Sequence, residues 1–306
     1  MRENFVKKIV ISLLKQHRET FSKEVRNSAA MRKRIENNDP SIEKEIFENA
    51  VASIYTAGFS SEKAEKYSKS LIQHFGLDLL KIIRRGEDGL SKEIGMGNRK
   101  NKKVIELCKY IVNLRESNPF CSWVRKLHRG ERVFNLGPKS DEDLLKGLGY
   151  FQHFPVDTLT ARFFERVGLL KYAAAKYSVV INPLASDAVK QMREVMMKVY
   201  SEAGQITFQI DESEYLMRDN LGLADILVWL HCNENRKYQK DSVCRDKPLC
   251  QECQLESFCE YRAHLQRETV SRIANHYPKP SGDITRESLF SKACCVLNES
   301  AVLSRE

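Results

Sequence analysis

Four of the nine cysteines in this 306-residue chain, Cys244, Cys250, Cys253 and Cys259, fall within sixteen residues in the spacing C-x5-C-x2-C-x5-C. The N-terminus does not have the form of a secretory signal. Arg2, Lys7 and Lys8 are followed only by a short apolar run at 9–14, without a small-residue cleavage site, so disulfides explain the cluster poorly. Four thiolates this close would repel one another unless a metal centre neutralised them. Two centres suit four cysteines: an iron–sulfur cluster and a zinc ion. A single central C-x2-C with one cysteine on either side suits a [4Fe-4S] cubane. Zinc is the alternative, although its structural sites usually pair two separated C-x2-C knuckles.

The second group able to do chemistry is Lys139 with Asp157, eighteen residues apart. Lys139 ends the segment VFNLGPK, residues 133–139. Gly137 lets the backbone approach a neighbour, and Pro138 suits the first turn of a helix because its missing N–H is not needed there. Exposed backbone N–H groups at such a helix start form an anion site, the physics of a helix-hairpin-helix gripping a DNA phosphate. The helix after it is expected over residues 139–148, ending at Gly149. Asp157 then precedes the next helix, where it could simply be the N-cap. Lys139 could likewise be one phosphate contact among many, and His153 and Tyr150 between them read as structural hydrogen-bonding residues.

The charge points the same way. Lys and Arg number 50 against 41 acids, a net charge of +9. Eleven cations lie between Arg99 and Lys139, against only Glu106, Glu116 and Glu131. A basic surplus confined to one segment suits a phosphate-contacting surface better than a solvated helix face. No apolar run is long enough to span a bilayer, so no membrane association is expected; a cytoplasmic or nuclear monomer is.

The elements that must position these residues are nearly all helical. Apolar periodicity predicts helices over 3–36, 42–57, 60–75, 102–113, 158–169 and 221–232, with Gly58 and Gly76 as stops and Asn118–Pro119 starting another. Cys108 lies on an apolar helical face and reads as core filler. Residues 206–210 alternate like a strand, 277–282 read as a linker, and 286–298 as a terminal helix.

The order of these features resembles the endonuclease III branch of the helix-hairpin-helix DNA glycosylases. The resemblance rests on the Gly137–Lys139 hairpin, Val156-Asp157-Thr158 followed by Arg162, the IGMGNRKNKKV segment at 94–104, the LVWLH segment at 227–231, and the cysteine loop followed by Glu260 and Tyr261. It covers about residues 40–265. It implies an all-α protein of two helical domains with a cleft between them: a six-helix barrel with the hairpin over 43–151, a cluster domain from 1–42 and 152–265, and a C-terminal extension over 266–306. It implies a base-excision glycosylase with AP lyase activity, acting on double-stranded DNA that contains a damaged, oxidised base or an abasic site. In that reading Lys139 attacks the sugar and forms a Schiff base, and Asp157 steadies the cationic sugar. The four cysteines bind a [4Fe-4S] cluster. Asn135, Gly137, Lys139, Arg99, Lys100, Lys102, Arg245 and Lys247 contact DNA. The chain departs from the family pattern at Asn135, where the hairpin usually has Gly, in the acidic run 141–143, in the first cysteine spacing of five, and in apparent insertions over 171–220. A catalytically inactive DNA-binding relative and a monofunctional glycosylase are the alternative readings.

Overall fold

The computed structural model describes residues 5–56, 61–178, 188–202, 205–211, 213–233, 242–245 and 248–261. Gly58, Lys247, the linker and terminal helix expected beyond residue 276, and the extension 266–306 lie outside the described residues. Among the described residues there are eleven α-helices and one two-stranded hairpin, an all-α architecture. No helix among them is long and apolar enough to cross a membrane. The chain forms two compact units, one of Met1–Ser22 with Val156–Glu306 and one of Lys23–Pro155. The division falls inside the first helix.

That helix, α1 (Phe5–Glu36), carries Val6, Ile9, Val10 and Leu13 into the core of the first unit and Ile35 into that of the second. The second unit continues with α2 (Glu43–Thr56), α3 (Ser61–Phe75), α4 (Leu79–Ile94), α5 (Asn98–Asn113), α6 (Pro119–His128) and α7 (Pro138–Gly147). Its core includes Phe47, Leu71, Leu107, Cys108, Trp123 and Leu144, all with 1% exposure or less. Burial pushes the Cys108 thiol up to about 12, as expected for packing material. The sequence did not mark α4, because its apolar positions are interrupted by Gly86. That residue sits at φ 69°, ψ 175° and splits the helix into two segments.

Asn118 stands at the N-cap of α6 but makes no capping bond. Its side-chain amide donates instead to the Asn38 carbonyl at 2.8 Å, and the Glu43 carboxylate accepts from the Phe120 N–H at 3.0 Å. The acid from α2 therefore satisfies the helix start, which the Asn118 side chain does not.

The first unit adds α8 (Thr158–Arg166), α9 (Leu169–Tyr177), α10 (Ala188–Ser201) and α11 (Gly222–Cys232). The 206–210 alternation is realised as β1 (Thr207–Ile210), paired antiparallel with β2 (Ser213–Leu216), Thr207 opposite Leu216. Asp211 at φ 54° begins the turn, a left-handed angle that short hairpin turns require. The strand β2 escaped the sequence pattern because its outer residues Ser213 and Glu214 are exposed and polar. Among the described residues of 171–220, helix and the hairpin predominate.

Candidate active site and cysteine loop

The turn before α7 is held from three sides. Trp123 of α6 donates its indole N–H to the Phe134 carbonyl at 2.8 Å. Tyr110 of α5 stacks on the Phe134 ring at 5.9 Å, and Lys103 sits over it at 4.8 Å. Gly137 adopts φ 105°, ψ 151°, a region open only to glycine, and a Cβ there would meet nothing. Its requirement is thus conformational, not steric. Asn135 is exposed and is not among the residues with positive φ, so the turn asks for no left-handed angle where the family pattern has Gly.

The acidic run at 141–143, which stands close to the supposed phosphate site, is fully employed inside the unit. Asp141 Oδ1 accepts from the Leu136 N–H at 2.7 Å, bracing the turn from within. Burial raises its pKa to about 6. Glu142 Oε2 accepts from the Phe154 N–H at 2.9 Å and lies 3.1 Å from His153 Nδ1. His153 in turn meets His128 at 3.1 Å, and His128 stacks on Tyr150 at 4.2 Å. His153 and Tyr150 are thus the structural hydrogen-bonding residues their sequence context indicated. Asp143 Oδ1 accepts from Lys146 Nζ at 3.0 Å, and Lys139 Nζ stands 3.9 Å from Asp143 Oδ2. Burial works to raise the Asp143 carboxyl, but Lys146 and Lys139 together hold it below its ordinary value. Lys139 is therefore at the second position of α7, partly exposed, with one loose carboxylate neighbour one turn away. The Asp141 carboxylate also takes a hydrogen bond from the Gly137 N–H, so the amides of the turn are held from within the unit.

Asp157 is the N-cap of α8: its Oδ1 accepts from the Thr160 N–H at 2.8 Å. The Thr160 hydroxyl lies 3.1 Å from the same oxygen and 3.0 Å from Asp225 Oδ1 of α11. The second carboxylate oxygen, Oδ2, has no hydrogen bond among the described residues, so capping leaves half of the carboxylate free. Arg162, on α8, donates to the Cys232 carbonyl at 3.1 Å and braces the C-terminal end of α11.

The eleven cations of the basic segment divide sharply. Lys100 turns inward, where its ammonium donates to the Tyr55 carbonyl and burial lowers its pKa to about 8. It braces the last turn of α2 rather than projecting as a DNA contact. Arg125 donates to the Ile35 carbonyl at 2.8 Å, Lys126 pairs with Glu116 at 2.8 Å, and Arg129 pairs with Glu131 at 2.6 Å. Arg99, Lys102, Lys109, Arg115 and Arg132 are exposed and make no ion pair among the described residues. Among the described residues these five are the cations of the segment that are both exposed and without an ion pair.

The cysteine loop follows α11. The N–H groups of Val243 and Cys244 donate to the His231 carbonyl at 3.1 and 2.8 Å, tying the loop to the end of the helix. Arg166 of α8 donates to the Arg245 carbonyl at 2.7 Å, lies 3.4 Å from Cys244 Sγ, and stacks over Tyr261 at 4.8 Å. Cys259 Sγ donates to the Arg166 carbonyl at 3.3 Å. Glu260 pairs with Lys171 at 2.9 Å. Arg245, expected to face DNA, has its Nε donating to the Ser242 carbonyl at 2.6 Å. Among the described residues none of the four cysteines forms a disulfide, and all four are partly buried. Among the described residues no three His, Cys, Asp or Glu side chains stand together as ligands of a metal ion. The four thiols are nevertheless electrostatic neighbours: burial pushes Cys253 up to about 12, and Cys244, Cys259 and Cys250 add to the shift. A Cys232 hydrogen bond, with Arg166 beside it, lowers Cys244 to about 6. The Leu255 N–H donates to Cys253 Sγ at 3.4 Å. Soft thiols backed by N–H donors and a guanidinium fit an iron–sulfur or zinc centre as a donor set. Sequence reading missed this supporting shell: Arg166, and the buried His17–His231 pair at 2.9 Å that backs Cys253, with His231 Nε2 3.6 Å from its sulfur.

Residues 51–180 match the family model of the HhH-GPD superfamily base excision DNA repair proteins. The matched stretch runs from α2 into the segment after α9. It contains the hairpin, Lys139, Asp157 and the exposed cations Arg99 and Lys102, and it ends before the cysteine loop. No curated protein and no solved structure matches the chain significantly.

Proposed function

We propose that this protein is a base-excision DNA glycosylase with AP lyase activity that removes an oxidised base from double-stranded DNA. The observation that carries the reading is the partly exposed Lys139 at the glycine-gated start of α7, inside the stretch that is similar to base excision repair proteins. A base in a stacked duplex is out of reach of any side chain, so the nucleotide must be flipped out. The neutral Lys139 amine then attacks the anomeric carbon, and the bond from that carbon to the base breaks, the base leaving with the bonding electrons and gaining a proton. The sugar ring opens to give a Schiff base on Lys139. Loss of a proton from the neighbouring carbon expels the 3′ phosphate and cuts the strand. The resemblance assigns to Asp157 the steadying of the positive charge that grows on the sugar, and a carboxylate can take the proton that the amine loses on attack. Cys244, Cys250, Cys253 and Cys259 would hold a [4Fe-4S] cluster, which when bound orders the loop rather than entering the reaction. Zinc is the alternative occupant.

Borohydride trapping on a duplex with one abasic site tests the reading. Wild-type protein should give a covalent adduct, and Lys139→Gln should give none while keeping most of its DNA affinity, since one contact among several is lost. Base release without trapping would identify a monofunctional glycosylase, and binding without base release an inactive relative.

A further inference from the structure

The second unit contains a basic cavity that the proposed reaction does not use. It has a volume of about 440 Å³ and is lined by His74, Phe75, Lys81, Arg84, Arg85 and Glu93. It lies between the end of α3 and both segments of α4, outside the basic segment that begins at Arg99. Two glycines build it. The break at Gly86 turns the second segment of α4 away from the first, which brings Glu93 and the arginines to one hollow. At Gly89 a Cβ would lie 2.8 Å from Arg85 Cγ, so the bare backbone is what lets the Arg85 side chain lie across the helix to its ion pair with Glu93.

That pair accounts for the only acid of the lining. Lys81 and Arg84 make no ion pair and no side-chain hydrogen bond among the described residues; Lys81 Nζ stands 5.5 Å from the Phe75 ring centre. His74 Nδ1 is 2.8 Å from the Ser70 carbonyl, which fixes the ring and leaves Nε2 as its remaining polar atom. Two uncompensated cations, a histidine nitrogen and an aromatic wall in one concave site form a receptor for a dianionic or diester phosphate. A guanidinium can take two oxygens at once and an ammonium a third. His74, Lys81 and Arg84 are exposed, so an incoming phosphate can reach all three.

We propose that this cavity is a phosphate-binding site, separate from the hairpin. Its ligand is a phosphate group, supplied either by the DNA backbone or by a free phosphate. The DNA source rests on the function proposed above; the phosphate chemistry does not.

The test uses the full chain, with a Lys81→Ala/Arg84→Ala double variant and, independently, Gly89→Ala, whose new methyl displaces Arg85. Titration with inorganic phosphate, followed by NMR of the arginine Nε–H signals, should saturate in wild type and be lost in the double variant. In parallel, affinity for an undamaged duplex is measured between 50 and 200 mM salt. If DNA supplies the phosphate, the double variant should show a log–log salt slope shallower by about 0.9, with Gly89→Ala shifted in the same direction. Phosphate binding lost with the DNA slope unchanged would assign the site to a free phosphate. No saturable phosphate binding in wild type, together with unchanged DNA slopes in both variants, would overturn the proposal. Failure of borohydride trapping would overturn the glycosylase reading and leave the inorganic phosphate result standing.

Discussion

Asp157 separates a structural role from a chemical one, because its two oxygens are used differently. Oδ1 caps α8 through the Thr160 N–H at 2.8 Å, and Oδ2 is free. Asp157→Ala removes both oxygens. Loss of an N-cap of this kind costs about 1 kcal/mol, within a range of about 0.5–2. For a unit of this size that lowers Tm by about 2–4 °C. Asp157→Asn keeps an oxygen where Oδ1 stands, and Asn is as good a cap, so its Tm should match wild type within about 1–2 °C. The chemical effect should ignore this distinction. Both variants lose the negative charge proposed to steady the cationic sugar, and removal of one such electrostatic group slows a reaction by about 10²–10³-fold, or about 3–4 kcal/mol of barrier. The assays are thermal melting and single-turnover excision on a duplex carrying one oxidised base at saturating protein. The expected pattern is a stability loss in Asp157→Ala alone and an excision loss in both. Wild-type excision by Asp157→Asn, with loss only in Asp157→Ala, would show that capping is the whole role of the residue and would refute the catalytic assignment.

Asp141 gives a pH prediction. Its folded pKa of about 6 lies above the ordinary 3.8, so the fold favours the protonated acid. That stabilisation is fully present below pH 3.8 and is lost as pH rises through 6. After allowance for its partial exposure this is about 1–2 kcal/mol. Asp141→Asn should therefore gain on wild type in melting temperature between pH 4 and 7, and a difference that does not change with pH would contradict it. On the DNA surface, Arg99→Ala/Lys102→Ala should make the salt dependence of affinity shallower by about 1.8 in log–log slope, whereas Lys100→Ala should mainly lower Tm. An equal slope change from Lys100→Ala would show that its ammonium reaches DNA after all. Protein purified without oxygen should be brown with about four irons per chain, and Cys253→Ala should lose the colour and part of the melting temperature. Stoichiometric zinc without iron would replace the cluster assignment.

The sequence by itself determined the features that depend on local order. The spacing of Cys244, Cys250, Cys253 and Cys259, the glycine at 137, the proline at the first turn of α7 and the acid just before α8 are all short-range patterns. The helix periodicities belong to the same class, since burial of one face every 3.6 residues is written directly into the chain. Only the tertiary structure decided which charges are available. Lys100 and Lys102 are two residues apart and indistinguishable by composition, yet one ammonium is spent on a carbonyl of α2 and the other is exposed. The acidic run at 141–143 reads as a threat to an anion site, and is instead consumed by the Leu136 amide, His153 with the Phe154 amide, and Lys146. Arg166 and His231 became visible as neighbours of the cysteine loop only through packing, because a side chain can be brought to a partner tens of residues away without any trace in spacing. Whether a charge meets solvent or a partner is decided by what lies across from it in space, and that is set by the packing of helices, not by the order of residues along any one of them.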